Sequence, residues 1–171
     1  MDKRIENFLL LSGIICYVYF LVILFVMGAL SPGYDHTLNY ISELGAHDSP
    51  VMIYANFLLF FVTGLLWALF SVGLLRTLGK GKTWTGKIAS MLMIFSAITF
   101  MLIAFYPCDP GCNNLTNTGI THGYISNGMV YFALLSLIFL TLGSLKGDFL
   151  NKKWFLVFLS VTVLTSVLGY M

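Results

Sequence analysis

The sequence predicts an all-α integral membrane protein, a helical bundle of five transmembrane spans that forms a single domain over residues 1–171. Of the 171 residues, 58% are hydrophobic and 9% are charged, whereas charged residues make up about 25% of an ordinary soluble domain. Five runs lack Asp, Glu, Lys, Arg and His and have the roughly 17–25 residues that a helix needs to cross a bilayer. These runs are 8–30, 51–75, 88–106, 124–142 and 154–171. Because backbone groups in a bilayer must be hydrogen-bonded within the protein, and the runs are about twice as long as barrel strands, we expect helices.

The first run, 8–30, is too long and too uniformly apolar for the core of a cleaved signal peptide, so we interpret it as an uncleaved anchor. The orientation of the spans follows from the basic residues, which precede the first run or lie between the second and third or the fourth and fifth runs. These residues are Lys3, Arg4, Arg76, Lys80, Lys82, Lys87, Lys146, Lys152 and Lys153. Short cytoplasmic loops retain Lys and Arg. The sequence therefore predicts a multi-pass protein of the cell membrane, N-in/C-out, with a cytoplasmic N-terminus.

The first outer loop, 31–50, contains a segment with helical character. Asp35 or Thr37 can cap its start, and Gly45 can end it in a left-handed conformation. Three polar residues share one face of this helix at 100° per residue, and they are Asn39, Ser42 and Glu43. We therefore expect a short interfacial helix whose polar stripe either faces water or turns inward to line a pocket over the bundle.

The second outer loop contains Cys108 and Cys112, separated by a Pro110-Gly111 turn. The turn brings the two cysteines together on the oxidising side of the membrane, which favours a disulfide. The alternative is a metal site that includes His122. Two cysteines with three residues between them and one histidine supply three ligands at most and match no standard zinc spacing, so a disulfide is the predicted outcome.

Three ionisable residues of the two outer loops are candidates for a catalytic site, namely Glu43, Asp109 and His122. Histidine and a carboxylate form a common proton-transfer pair and could also bind a metal ion. We expect Asn39, Ser42 and Tyr124 to form hydrogen bonds with these three side chains. The alternative is that these groups are solvated or cap helix ends. Charged groups at a membrane boundary are costly without partners, which is a reason to expect convergence, and both interpretations stay open.

Two sequence elements resemble a known family. They are Tyr40-Ile-Ser-Glu-Leu-Gly-Ala46 followed by Pro50, and Phe105-Tyr-Pro-Cys-Asp-Pro-Gly111 followed by His122. These elements are similar to those of the bacterial and archaeal multi-pass family DUF998, a domain of unknown function. The resemblance marks six positions as family-type, namely Ser42, Glu43, Gly45, Pro107, Asp109 and His122. It also implies six spans, so either the pattern is shortened here or a sixth span is missing from the sequence. The cysteine pair is a local addition to the pattern.

Composition and motifs leave three function classes. The first is a binding, regulatory or lipid-interacting membrane protein with a polar site at the extracytoplasmic face. The second is a hydrolase-like enzyme at the membrane boundary that acts on a lipid or lipid-linked substrate. The third is a small transporter or channel subunit, which the absence of ionisable residues from the spans disfavours. Membrane lipids are the expected partners, a homo-oligomer is possible, and no basic stripe supports nucleic-acid binding. No cofactor can be assigned from the sequence.

Overall fold

The computed structural model describes residues 3–78 and 84–145. These residues form four long helices, α1 (Lys3–Ala29), α2 (Met52–Leu78), α3 (Trp84–Ile103) and α4 (Asn117–Leu145). Each of them is long and apolar enough to cross a membrane. They correspond to the first four predicted spans, and the described residues contain no strand. The fifth predicted span, 154–171, lies outside the described residues.

The start of α4 differs from the predicted boundary at residue 124. The helix begins at Asn117, seven residues earlier, because polar contacts from the preceding loop cap its N-terminus. An uncharged run marks only the apolar part of a helix, and a polar first turn extends beyond it. His122 therefore lies within the second turn of α4 and not at its start.

Hydrogen bonds from serine hydroxyls show that α3 and α4 are antiparallel. The Oγ of Ser96 donates to the Met129 carbonyl at 2.7 Å, and the Oγ of Ser136 donates to the Ala89 carbonyl at 2.8 Å. A later residue of α4 thus pairs with an earlier residue of α3. Both serines are fully buried, which is consistent with small polar residues bringing membrane helices close together.

The helices α1 and α2 are also antiparallel. The thiol of Cys16 lies 3.5 Å from the Thr63 carbonyl, while nearer the N-terminus Leu9 packs against Gly73. The four helices thus run alternately up and down, and residues 30–51 and 104–116 lie at the same end of the bundle. We call this the loop end.

The core lies directly beneath the loop end. Phe100 of α3 packs edge-to-face against Phe20, Phe60 and Trp67, with ring centroids 5.7 to 6.3 Å apart. Leu44 reaches into this core from the first loop and is fully buried. The first loop is therefore anchored to the bundle by an apolar side chain.

The first half of α2 is not a regular α-helix. One α-helical turn, Met52–Tyr54, leads into a π-helix, Ala55–Val62, and α-helical geometry resumes at Thr63. The π-helix is a rare form that occurs mostly as a single turn, often at a functional site. Hydrophobic runs do not distinguish the two helix types, so the sequence predicted only a helix here.

Candidate functional site

The first loop is folded around the carboxylate of Glu43. Its Oε1 accepts a hydrogen bond from the Tyr40 backbone N–H at 2.8 Å, and its Oε2 accepts one from the side-chain amide of Asn39 at 2.9 Å. Glu43 lies in the 3₁₀-helix Ile41–Gly45. Its hydrogen bond to Tyr40, the residue before this helix, stabilises the first helical turn. Both oxygens of this half-buried residue therefore have partners within the loop.

The helical segment of this loop is shorter than predicted, because a turn at Asp35 precedes the 3₁₀-helix. The Oδ1 of Asp35 accepts hydrogen bonds from the Thr37 hydroxyl at 2.6 Å and the Thr37 backbone N–H at 2.7 Å. These two bonds, the hydroxyl bond first, lower the pKa of Asp35 below its ordinary value. A carboxylate that bonds its own backbone two residues ahead favours a turn over a helix.

Gly45 ends the 3₁₀-helix, but the predicted left-handed conformation at this position is wrong, because its φ is not positive. Glycine is needed here for close approach. A Cβ at this position would overlap the side chain of Asn56, whose amide donates to the Gly45 carbonyl at 3.0 Å. Asn56 is buried and therefore ties the first loop to the π-helical part of α2.

A polar cavity of about 160 Å³ lies beside Glu43. Its lining residues come from both loops and are Ser31, Pro32, Gly33, Tyr34, Asn39, Glu43, Asp48, Ser49, Pro50 and Gly111. The hydroxyl of Tyr34 is buried and has no hydrogen-bond partner within the described part of the chain. Burial raises the pKa of this phenol, and the charges of Glu43 and Asp35 raise it further. The cavity thus has a neutral phenol and acidic residues in its wall.

The second loop is folded around the carboxylate of Asp109. Its Oδ2 accepts hydrogen bonds from the backbone N–H groups of Leu115 (2.7 Å) and Thr116 (2.8 Å), and its Oδ1 accepts one from the Thr116 hydroxyl at 2.7 Å. The bonds from Thr116, backbone first, lower the pKa of Asp109, and the positive charge of His47 acts in the same direction. Asp109 is only 2% exposed. It therefore fixes the segment that leads into α4.

Gly119 makes room for this carboxylate in the first turn of α4. A Cβ at residue 119 would overlap the Asp109 carboxylate. The Thr116 hydroxyl, which donates to Asp109, accepts a hydrogen bond from the Gly119 N–H at 3.1 Å. Negative charge near a helix N-terminus also interacts favourably with the helix dipole. Asp109, Thr116 and Gly119 therefore form one capping unit.

His122 is buried where the second loop folds over α4. Its side chain is 5% exposed, and its Nδ1 lies 2.7 Å from the Tyr106 carbonyl oxygen. A carbonyl can only accept, so Nδ1 carries the proton and Nε2 is left with a lone pair in the neutral ring. The charge of Asp109 is close enough to act on the imidazole.

Cys108 and Cys112 lie at disulfide distance, as predicted, with their Cα atoms 5.0 Å apart. Cys108 is fully buried and Cys112 is half-buried. Ser42 of the first loop contacts both sulfur atoms, through its carbonyl oxygen at 3.3 Å from Cys108 and its hydroxyl at 3.2 Å from Cys112. A ring nitrogen of His122 and the two sulfur atoms all lie within 4.8 Å of one another. These four residues form what we call the sulfur cluster.

The structure thus places the predicted site residues in different surroundings. Asp109 lies close to His122, but within the described part of the chain no hydrogen bond joins Glu43 to either of them. Ser42 contacts the cysteines, and Asn39 contacts Glu43. Tyr124 is 76% exposed and makes no hydrogen bond to another described residue.

Three contributing residues were not predicted, namely His47, Thr116 and Gly119. The backbone N–H of His47 donates to the Cys108 carbonyl at 3.3 Å, which joins the two loops. The spacing from Thr116 to Gly119 gave a signal, since a threonine at the start of a helix commonly caps the N–H three residues later. The sequence around His47 gave no such signal, because the role of this residue depends on contacts between distant segments.

An apolar groove of about 350 Å³ lies near the loop end on the side of the π-helix. Its lining residues are Met52, Ile53, Asn56, Phe57, Phe61, Ala104 and Phe105. The ring of Phe61 stacks on Phe57 and meets Phe105 edge-on, with centroids 5.9 and 5.8 Å apart. Asn56 is the single amide in this wall. The groove therefore offers an aromatic surface that spans α2 and the end of α3.

The comparison with known families confirms the predicted family. The family model described as Protein of unknown function (DUF998) matches residues 14–171. No curated protein and no solved structure matches the chain.

Proposed function

Since the chain belongs to the DUF998 family, which is described as having unknown function, we propose a function from the site geometry. The protein binds a membrane lipid at its loop end, with the acyl chain in the apolar groove and the polar part of the lipid near the loops. The observation that carries this proposal is the groove, whose wall is formed by the π-helical segment of α2. A membrane lipid is the apolar ligand present at the highest concentration around such a helix.

The dimensions and lining of the groove support this assignment. Its volume of about 350 Å³ lies within the range of about 300–1,000 Å³ typical of ligand sites. Ile53, Phe57 and Phe105 are 57 to 76% exposed, so their surfaces are available to a hydrocarbon chain. The groove is built within one chain, so the proposal requires no second copy.

The second candidate is a membrane-boundary enzyme that uses Glu43, Asp109 and His122. Its support is the proximity of Asp109 to His122. A proton-transferring carboxylate needs an oxygen within reach of the substrate. Both oxygens of Glu43 and both oxygens of Asp109 already accept hydrogen bonds from their own loops. We therefore rank lipid binding above catalysis, and a transporter or channel subunit below both.

The proposal places the loop end on the extracytoplasmic side and completes the bundle with a fifth span at 154–171. Lys3, Arg4, Arg76 and Lys87 lie at the helix ends opposite the loop end, and basic residues are retained in the cytoplasm. The first loop, with its 3₁₀-helix, then lies in the membrane interface. This orientation brings the polar cavity and the groove to the outer leaflet of the cell membrane.

Lipid binding can be tested by filling the groove. The purified protein is examined by native mass spectrometry for phospholipid that stays bound after detergent extraction. We expect Ala104→Trp to reduce the lipid-bound fraction several-fold, because the indole would occupy the groove. Leu135→Trp, which places the same side chain at an exposed position of α4 away from the groove, should retain the wild-type fraction.

Equal lipid retention in both variants would contradict the groove as the binding site. The same samples distinguish lipid binding from catalysis, because they are also analysed for conversion of the lipid to products. Turnover that is lost in His122→Gln while the protein still elutes as a folded species would favour the second candidate.

The orientation is tested by thiol labelling of intact cells in a Cys16→Ser background. A cysteine introduced at Asn114, in the second loop, should react with an impermeant maleimide added outside. A cysteine at Lys87, an exposed position at the start of α3, should react only after permeabilisation. The opposite pattern would place the loop end in the cytoplasm.

A further inference from the structure

We propose that the sulfur cluster binds a zinc ion while its two cysteines are still thiols, before an oxidant joins them in a disulfide, with Cys108, Cys112 and His122 as the protein ligands. The three donor atoms already lie within 4.8 Å of one another. Zinc bond lengths of about 2.3 Å to sulfur and 2.0 Å to nitrogen place tetrahedral donors roughly 3.3–3.8 Å apart. To enclose an ion, the two sulfur atoms would have to move apart from disulfide contact, and the imidazole nitrogen would have to move closer to them. The inference is independent of the proposed lipid site.

A hydrogen bond fixes the orientation of the His122 imidazole. Its Nδ1 donates to the Tyr106 carbonyl, which fixes the ring and directs the Nε2 lone pair away from that bond. Histidine ligands of metal ions almost always donate their other ring N–H to a carbonyl or carboxylate in this way. Within residues 3–78 and 84–145 this is the one hydrogen bond of the ring.

The chemistry of the donors favours zinc. Thiolate and imidazole together suit a borderline ion such as Zn²⁺, and two cysteines with one histidine are an established ligand set that leaves a fourth position for water. On binding, the two thiols release two protons, and two thiolates balance the charge of the ion. The neutral complex can be buried at a membrane boundary at lower cost than an isolated cation.

The surroundings of the Cys112 sulfur also support an ion. The hydroxyl of Ser42 lies 3.2 Å from the Cys112 sulfur, where it can donate to a thiolate. Cys112 is half-buried while Cys108 and His122 are buried, so the ion can enter from the side of Cys112. The disulfide and the zinc dithiolate use the same sulfur atoms and therefore exclude each other.

The test uses the full chain in detergent with a purification tag that contains no histidine. The protein is reduced anaerobically with a phosphine, equilibrated with zinc sulfate and desalted, and its zinc content is measured by mass spectrometry. We expect about one zinc ion per chain, with X-ray absorption showing two sulfur ligands at about 2.3 Å. Cys112→Ser and His122→Gln should each lower the affinity by at least about tenfold. Cys16→Ser, which removes the cysteine outside the cluster, should bind zinc normally.

A second measurement covers variants that fail to fold. In the wild-type protein, zinc should slow the alkylation of Cys108 and Cys112 and leave that of Cys16 unchanged. Three results would overturn the proposal. They are reduced protein that retains no more zinc than the Cys108→Ser/Cys112→Ser double variant, an absorption spectrum without sulfur ligands, and a disulfide that resists reduction in the folded chain.

Discussion

The two loops at the loop end are both folded around a carboxylate, but they use it differently. Glu43 is half-buried, and its two hydrogen bonds come from Tyr40 and Asn39, which lie three and four residues earlier in the same loop. Asp109 is 2% exposed, and its three hydrogen bonds come from Leu115 and Thr116, six and seven residues later. The first carboxylate shapes a local turn, whereas the second connects the end of one membrane helix to the start of the next.

This difference separates a loop that lines a cavity from a loop that supports the start of a helix. Glu43 lies in the wall of the polar cavity, so its loop can respond to a bound polar group. Asp109 is enclosed by its own segment and by Gly119, so a substitution there affects the start of α4 first. A buried carboxylate that loses its hydrogen-bond donors is costly. Breaking the hydrogen bonds of Asp109 should therefore unfold more of the protein than breaking those of Glu43.

The largest effect is expected for Gly119→Ala. The added methyl group would overlap the Asp109 carboxylate and force it away from its donors, at a cost of about 1–3 kcal/mol, typical of overpacking. Thermal unfolding in detergent should show a melting temperature lower by several degrees. A matched control is Gly128→Ala on the same helix, where the nearest atom would lie 3.9 Å from the new Cβ.

Since alanine is the better helix former by about 1 kcal/mol, Gly128→Ala should be neutral or stabilising. Equal melting temperatures for the two alanine variants would show that the capping unit formed by Asp109, Thr116 and Gly119 does not limit the stability of the protein. The distinction between the two loops would then lose its basis.

The features that could be predicted from the sequence depend on local pattern. The first four spans follow from uncharged runs, since no other element satisfies backbone groups in a bilayer. The closeness of Cys108 and Cys112 follows from a Pro-Gly turn between them. The family assignment follows from two short elements, and the match over residues 14–171 confirms it.

The features that could not be predicted depend on contacts between distant segments. Asn56 gives no sign in the sequence that it bonds the Gly45 carbonyl, and that contact, not a left-handed turn, explains the glycine. The early start of α4 depends on Asp109 and Gly119, which lie ten residues apart and come together only in the fold. The π-helix has the same hydrophobic pattern as an α-helix, so composition cannot reveal it.

A smaller effect is expected for Thr116→Val, and it should depend on pH. The hydrogen bonds from Thr116 lower the pKa of Asp109 in the folded protein. A carboxyl group whose pKa is lower in the folded than in the unfolded state stabilises the fold above its unfolded pKa of about 3.9. This stabilisation is lost as the pH falls through the folded-state pKa. Removal of the hydroxyl shifts the folded-state pKa upward, so the variant has less of this stabilisation to lose.

The melting temperature of Thr116→Val should therefore be lower than that of the wild type at pH 7, and the difference should shrink as the pH falls below about 4. Thr121→Val is the matched control, because the Thr121 hydroxyl bonds the Asn117 carbonyl at 2.8 Å and does not contact Asp109. Its difference from the wild type should stay constant over the same pH range. His47, whose charge also acts on Asp109, is present in all three proteins, so its effect cancels in the comparison.

A Thr116→Val difference in melting temperature that does not change with pH would mean that the hydroxyl acts only as a neutral cap for Gly119. The second loop would then be stabilised by a local turn, as the first one is.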